Sequence, residues 1–244
     1  MTTAPAILFL DDDDELAPTA LARLAEALRS EPRAVLSAGA PRQLCDGRLG
    51  ARTGHPERKL VRGVLQDMLL GWNPQVGQLL FSRSALEAAG GFDEGLSLAE
   101  DHDLLLRVAR LGPAVLIPDT VLHRRVHGTP RFLPDEYRAS ANAARERFVL
   151  SLGPESRARA ERLLRGEALW QQAGEQLQAG CGLPAMGSLL GAVREAPAYA
   201  SSPLFRRAFA YRLLRAVRRA AVPQPLWVRI RKLPGVPGHG GTVP

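Results

Sequence analysis

Ala6-Ile7-Leu8-Phe9-Leu10-Asp11-Asp12-Asp13-Asp14-Glu15 is the stretch from which the rest of the chain is read. A short apolar run that stops abruptly in carboxylates has the pattern of a buried strand delivering acids to the edge of a sheet. Carboxylates packed this closely repel one another, so the run is costly unless a cation or abundant water offsets the charge. Two readings follow. In one, the acids hold a hard divalent cation, which prefers oxygen ligands and keeps positions open for substrate phosphates. In the other, they form a solvated acidic turn that caps the next helix.

Composition narrows the class. The chain has 244 residues, 45% of them apolar, enough for one large domain or a domain with an appendage around a real core. No apolar run has the length of a bilayer span, and no basic segment followed by an apolar one opens the chain, so a cytoplasmic location is expected. Cys45 and Cys181 stand alone, without metal-type spacing, and read as buried or incidental thiols of a reducing compartment. The net charge of +7 is a C-terminal feature, because acids stop at Glu195 while Arg206, Arg207, Arg212, Arg215, Arg218, Arg219, Arg229, Arg231 and Lys232 follow. A body near charge balance argues against nucleic acid as a partner.

Working outward, the pattern predicts a strand over Ala6–Leu10 and a helix from near Pro18 to about Arg29, with Leu21, Leu24, Ala25 and Leu28 as its apolar stripe. A short strand at Ala34–Ser37 precedes a loop or loose hairpin over Gly39–His55. Leu60–Leu70 reads as a helix broken by Gly71-Trp72-Asn73-Pro74, and Val76–Phe81 as a strand. The helix Ser84–Ala89 ends at Gly90-Gly91. Ala99–Leu111 is the next helix, with Glu100, Asp101 and His102 in its first turn, where acids gain from the helix dipole. Strands follow at Val115–Ile117 and Thr120–Val126.

From Leu133 the periodicity is helical only, over Asp135–Leu150, Glu155–Ala179, Leu183–Glu195 and Ser202–Ala221. The middle two form a hairpin about Gly180–Gly182, similar to one tetratricopeptide-like unit. The resulting division is 1–130, a helical appendage over 131–222 and an irregular basic tail over 223–244. Within Ser202–Ala221, Arg206, Arg207, Leu213, Leu214, Arg218 and Arg219 make a basic amphipathic pattern. It suits an anionic inner-membrane surface, or else a solvated helix packed on its own hairpin.

Several segments, in order and spacing, resemble the inverting nucleotide-sugar glycosyltransferases of the GT-A fold, family 2-like. They are residues 7–14, Leu80-Phe81-Ser82-Arg83-Ser84-Ala85-Leu86, Gly90-Gly91-Phe92-Asp93-Glu94, residues 99–107 and His123-Arg124-Arg125-Val126-His127-Gly128. The resemblance covers Ala6 to Gly128. It implies an α/β fold: a partial, Rossmann-like GT-A sheet lacking its first strands, followed by an all-helical C-terminal region. The segments that bind base and ribose in the family have no counterpart here, so the expectation is an N-terminally truncated form. Three accounts follow: a natural polypeptide that begins upstream of Met1, which is preferred, a missing half supplied by a separate chain along the open sheet edge, or a decayed remnant without catalysis.

The implied reaction moves a sugar from a nucleotide-sugar donor to a hydroxyl of a glycan, lipid-linked or protein acceptor, with inversion. A divalent cation, Mn2+ or Mg2+, would neutralise the leaving diphosphate. The family's Asp-any-Asp motif falls on Asp11-Asp12-Asp13, with Asp13 the direct ligand; a register of Asp12 to Asp14 is also open. Asp11, Asp12, Glu100 and Trp72 fall on the substrate side. Asp101 takes the position of the general base, against the simpler role of a helix-cap acid. His127 either completes the metal site or is a polar loop residue. Trp72 stacks on a sugar face or covers the core. Arg107 and Arg125 either contact phosphate or are ion-paired. The alternative to an enzyme is an inactive remnant acting as a binding or membrane-surface adaptor.

Overall fold

The computed structural model describes residues 3–45, 48–52, 59–126 and 134–221. It divides between Arg157 and Ala158 into two compact units. The first is mixed α/β and the second all-helical, the class the sequence predicts.

In chain order the first unit contains β1 (Ala6–Ile7), β2 (Glu15–Leu16), α1 (Ala20–Arg29), β3 (Leu36–Cys45), β4 (Arg48–Arg52), β5 (Leu60–Arg62) and α2 (Leu65–Leu69). A 3₁₀ turn at Val76–Gln78 leads into β6 (Leu79–Ser82), α3 (Arg83–Ala89), α4 (Glu100–Ala109), β7 (Ala114–Arg125) and α5 (Pro134–Leu150). The described strands form one sheet in the order β1-β6-β3-β7-β2, with β4 paired to β3 and β5 to β7. β3 and β7 run parallel at its centre, and the other pairs are antiparallel.

Gly39 sets the spacing of the central pair. A Cβ there would lie 2.3 Å from Val121 Cγ1, so only glycine lets β3 approach β7 this closely. The β3–β7 register jumps from Ala38↔Leu116 to Ala40↔Thr120, and Pro118, which has no N–H to give a ladder, falls in that bulge. α1 lies on the sheet, burying Ala20, Leu24 and Ala27 with Val115, Ile117, Val121 and Leu122. Ser37, buried under α1, donates its hydroxyl to the Leu24 carbonyl at 2.8 Å.

Several elements differ from the sequence reading. Regular pairing of the first strand is confined to Ala6–Ile7, and the run to Phe9 is half-buried, not buried. β1 ends the sheet, with β6 its one partner among the described residues, and Phe9 turns onto Phe81 and Phe92 with centroids at 6.0 and 5.0 Å. Leu60–Leu70 is not one helix. Leu60–Arg62 pairs with β7, which brings Arg62 to 2.8 Å from the fully buried carboxylate of Asp67 in α2. Gly39–Cys45 continues β3 into a hairpin with β4, and the two strands expected after α4 are the single β7. Leu21, assigned to the apolar stripe of α1, is exposed, because the buried face of that helix is turned toward Ala20, Leu24 and Ala27. Both cysteines are free and exposed.

The second unit holds most of α6 (Pro154–Gln178), then α7 (Gly182–Glu195), α8 (Ala198–Ser201) and α9 (Arg206–Ala221). Gly180, with φ +85°, makes the turn between α6 and α7. Trp170 of α6 stacks on Tyr199 at 4.7 Å, and Arg212 of α9 lies 3.9 Å over the same indole.

Replacing Gly39 by alanine forces the central strands apart. Gly39→Ala should lower stability by about 1–3 kcal/mol in denaturant titration. An unchanged midpoint would mean that the β3–β7 spacing does not limit the sheet.

Candidate functional site

The acidic turn is shaped by its neighbour strand. Pairing of β2 with β7 sets Glu15 opposite His123, which puts the four aspartates beside the end of β7. There the Arg125 backbone N–H donates to Asp14 Oδ1 at 2.9 Å, and its Nε donates to the Asp13 carbonyl at 3.1 Å. Its guanidinium also pairs with Glu15 at 2.5 Å. Asp14 N–H closes the turn on the Asp11 carbonyl at 3.2 Å.

Carboxylate oxygens of Asp11, Asp13 and Asp14 thus come within 4.8 Å of one another. Partial burial pushes the Asp14 carboxyl above the usual aspartate range, and the charges of Asp13 and Asp11 push the same way against the Arg125 hydrogen bond. Three convergent hard oxygen donors suit Mg2+ or Mn2+. Asp12, exposed, stands outside this group among the described residues.

Ala99 precedes α4 with φ +62°, a left-handed conformation that costs a residue with a Cβ about 1–2 kcal/mol. From there Glu100 and Asp101 open the helix. Asp101 Oδ1 accepts from the His102 N–H at 2.7 Å and from the Tyr137 hydroxyl at 3.3 Å. The Tyr137 oxygen accepts from Asn73 Nδ2 at 2.8 Å, while Asn73 Oδ1 lies 2.8 Å from His102 Nδ1. The four groups form a directed chain. Because the Asn73 amide donates to the phenol oxygen, the phenol proton points at Asp101 and His102 carries its proton on Nδ1.

Burial, assisted by the Arg145 charge, pulls His102 down to about 3, so its ring is neutral at physiological pH. Its Nε2 is buried without a hydrogen-bond partner among the described residues. Burial and the Asp101 charge push Tyr137 up to about 12. Asp101 itself is raised, first by burial, then by the charges of Glu100 and Asp11. The Asp11 charge is the smallest of these contributions.

The structure thus brings together Asp11, Asp13 and Asp14, and sets Glu100 and Asp101 in the first turn of α4. Trp72 is half-buried in the turn after α2, where its backbone N–H donates to the Asp67 carbonyl at 2.9 Å. His127 lies outside the described residues. Arg107 is ion-paired to Asp103 at 2.7 Å and donates to the carbonyls of Ala89 and Gly91, which fastens α3's end to α4. Arg125 is likewise engaged, as the clamp of the acidic turn. Sequence reading missed Asn73 and Tyr137. Asn73 looked like a helix breaker, and Tyr137 sits in a helix assigned to the appendage, whereas α5 packs on α4 within the first unit.

No protein-family model matches the chain, and no curated protein does. Among solved structures it is similar to S. aureus TarS, a glycosyltransferase, with 13% identity and a TM-score of 0.49. That alignment takes in 89% of this chain and 39% of TarS, so the chain spans about two-fifths of that protein's length. At this level the likeness assigns no chemistry.

The depressed His102 ring predicts a pH signature. Its folded value lies below the unfolded one, so its stabilisation is full above the ordinary value of 6.5 and is lost as pH falls toward about 3. Between these limits the protein should lose up to about 1.4 kcal/mol per pH unit more than His102→Gln, in which the amide can still donate to Asn73. Parallel slopes in denaturant titrations from pH 6.5 downward would refute the assignment.

Proposed function

We propose that the first unit is the catalytic part of a metal-assisted, inverting glycosyltransferase of GT-A type. What supports this reading is an acidic turn whose three convergent carboxylates suit a cation, together with a half-buried aspartate at the start of α4 whose carboxyl is raised. The site supplies the two needs of sugar transfer: neutralisation of a leaving diphosphate, and a base for the acceptor hydroxyl.

Asp13, with Asp11 and Asp14, would hold the divalent cation, Mn2+ or Mg2+, and Asp12 would lie toward the donor. When bound, the cation supplies a positive charge to the diphosphate of the nucleotide-sugar donor. Asp101 is the base. Its Oδ1 is occupied by the two donors from His102 and Tyr137, which leaves Oδ2 to accept the proton of the acceptor hydroxyl. Asn73 and Tyr137 are positioning residues: they fix the rotation of the carboxylate and favour its charged form. Glu100, exposed beside the base, and Trp72, half-buried next to Asn73, stand on the acceptor side.

The test is release of nucleoside diphosphate from a panel of nucleotide sugars, with Mn2+ or Mg2+, by the natural full-length protein. Asp101→Asn should reduce kcat about 10²–10⁴-fold. It should also stabilise the fold at neutral pH. A carboxyl whose folded pKa is raised contributes stability below the ordinary aspartate range and loses it as pH rises through the raised value, so neutralising it helps most at high pH. Tyr137→Phe removes a hydrogen bond to the charged form and should move the acid limb of the rate profile to higher pH. Retention of full turnover by Asp101→Asn would discard the base assignment. Metal-independent turnover would discard the cation.

A further inference from the structure

α9 is the most basic element of the second unit. It carries six arginines over Arg206–Ala221 and no acid, and no acidic residue follows Glu195 in the sequence. The structure sorts these arginines. Arg212 faces inward, over the Trp170 ring and donating to the Trp170 carbonyl at 2.7 Å; Arg219 donates inward to the Leu177 carbonyl. Ala216 is buried, and the α9 backbone from Ala216 to Ala220 lies against Gly182 of α7.

The opposite face is a stripe at helical spacing, Arg207, Tyr211, Leu214 and Arg218. Tyr211 and Leu214 are 54% and 60% exposed, and Val217 beside them is exposed too. α7, packed on α9, repeats the arrangement: Leu183 and Leu190, seven residues apart, are 70% and 62% exposed, and Arg194 follows on the same stripe. Large apolar side chains thus stand outward on both helices, framed by cations and without a carboxylate on α9.

We propose that the outward face of α9 docks the protein on an anionic lipid bilayer. Tyr211, Leu214 and Val217 enter the interfacial region, and Arg207 and Arg218 lie at the lipid phosphates. Charge complementarity selects an anionic surface, since outward arginines on a helix that carries no acid repel a cationic partner and gain nothing from a neutral one. The interleaved apolar side chains select lipid over nucleic acid, because phosphate backbones reward the arginines but leave Leu214 and Val217 in water. The outward face differs from the sequence pattern in its members: Arg219 turns inward and Leu213 is half-buried, while Tyr211 and Val217 take outward places.

The test is co-sedimentation of the full chain with phosphatidylglycerol–phosphatidylcholine vesicles, with pure phosphatidylcholine vesicles as control. The wild type should pellet with the anionic vesicles alone, and less as salt rises. Arg207→Gln with Arg218→Gln should lower the partition coefficient roughly 30-fold. Tyr211→Ser with Leu214→Ser should lower it roughly tenfold while leaving the melting temperature unchanged. Leu214→Trp, which keeps apolar bulk, should bind at least as well as wild type. Failure of the wild type to bind anionic vesicles would overturn the proposal. So would undiminished binding by the double serine variant, or a DNA duplex bound as tightly as the vesicles and unaffected by that variant, which would mark a general polyanion surface.

Discussion

The grip of Arg125 on the acidic turn is the interaction on which the rest of the site depends. Four consecutive aspartates repel one another, and in an unsupported loop they would spread into water. At the end of β7 one residue offers a backbone N–H to Asp14, a side-chain N–H to the Asp13 carbonyl and a guanidinium to Glu15. These contacts bend the turn so that three carboxylates converge. The grip depends on β2–β7 pairing, and β7 in turn is held by the close parallel approach of β3 at Gly39. A contact deep in the sheet therefore fixes the geometry of an exposed charge cluster.

A second constraint is the burial around Asp101. A carboxylate out of water must receive hydrogen bonds or take up a proton. Here the His102 N–H and the Tyr137 hydroxyl partly offset the desolvation, and the balance leaves the group raised. The part-buried chain behind it has a fixed direction, from the His102 ring through the Asn73 amide to the phenol. Its far end leaves His102 Nε2 buried without a partner among the described residues. Together with the left-handed Ala99, this is the place where the fold accepts local strain. Strain and unsatisfied polar groups of this kind are tolerated where geometry serves chemistry.

The second unit shows why a charge count misleads. Of the arginines in α9, Arg212 has its guanidinium over the Trp170 ring, and burial pulls it below the ordinary arginine value. It belongs to the packing of the unit, alongside the Trp170–Tyr199 stack and the 2.5 Å hydrogen bond from Tyr199 to Glu167. Described by itself, the unit is a small helical cluster with an aromatic interior and a basic exterior.

The sequence by itself determined the local facts. The α1 and α3 spans, the Gly90 stop at φ +83°, the helices after Pro134 and the acids at the start of α4 all follow from rules acting over a few residues. It also singled out Asp11, Asp13 and Asp101, because runs of carboxylates and acids at a helix start are local signals. It could not separate β5 and α2 within Leu60–Leu70, since that apolar pattern suits either period and only pairing with β7 decides. Nor could it join Asn73, His102 and Tyr137, which have no sequence relation to one another. Only the tertiary structure decided which aspartates converge, what Asp101 is bonded to and which arginines face water. Burial and long-range hydrogen bonds set those outcomes, and both depend on residues distant in the chain.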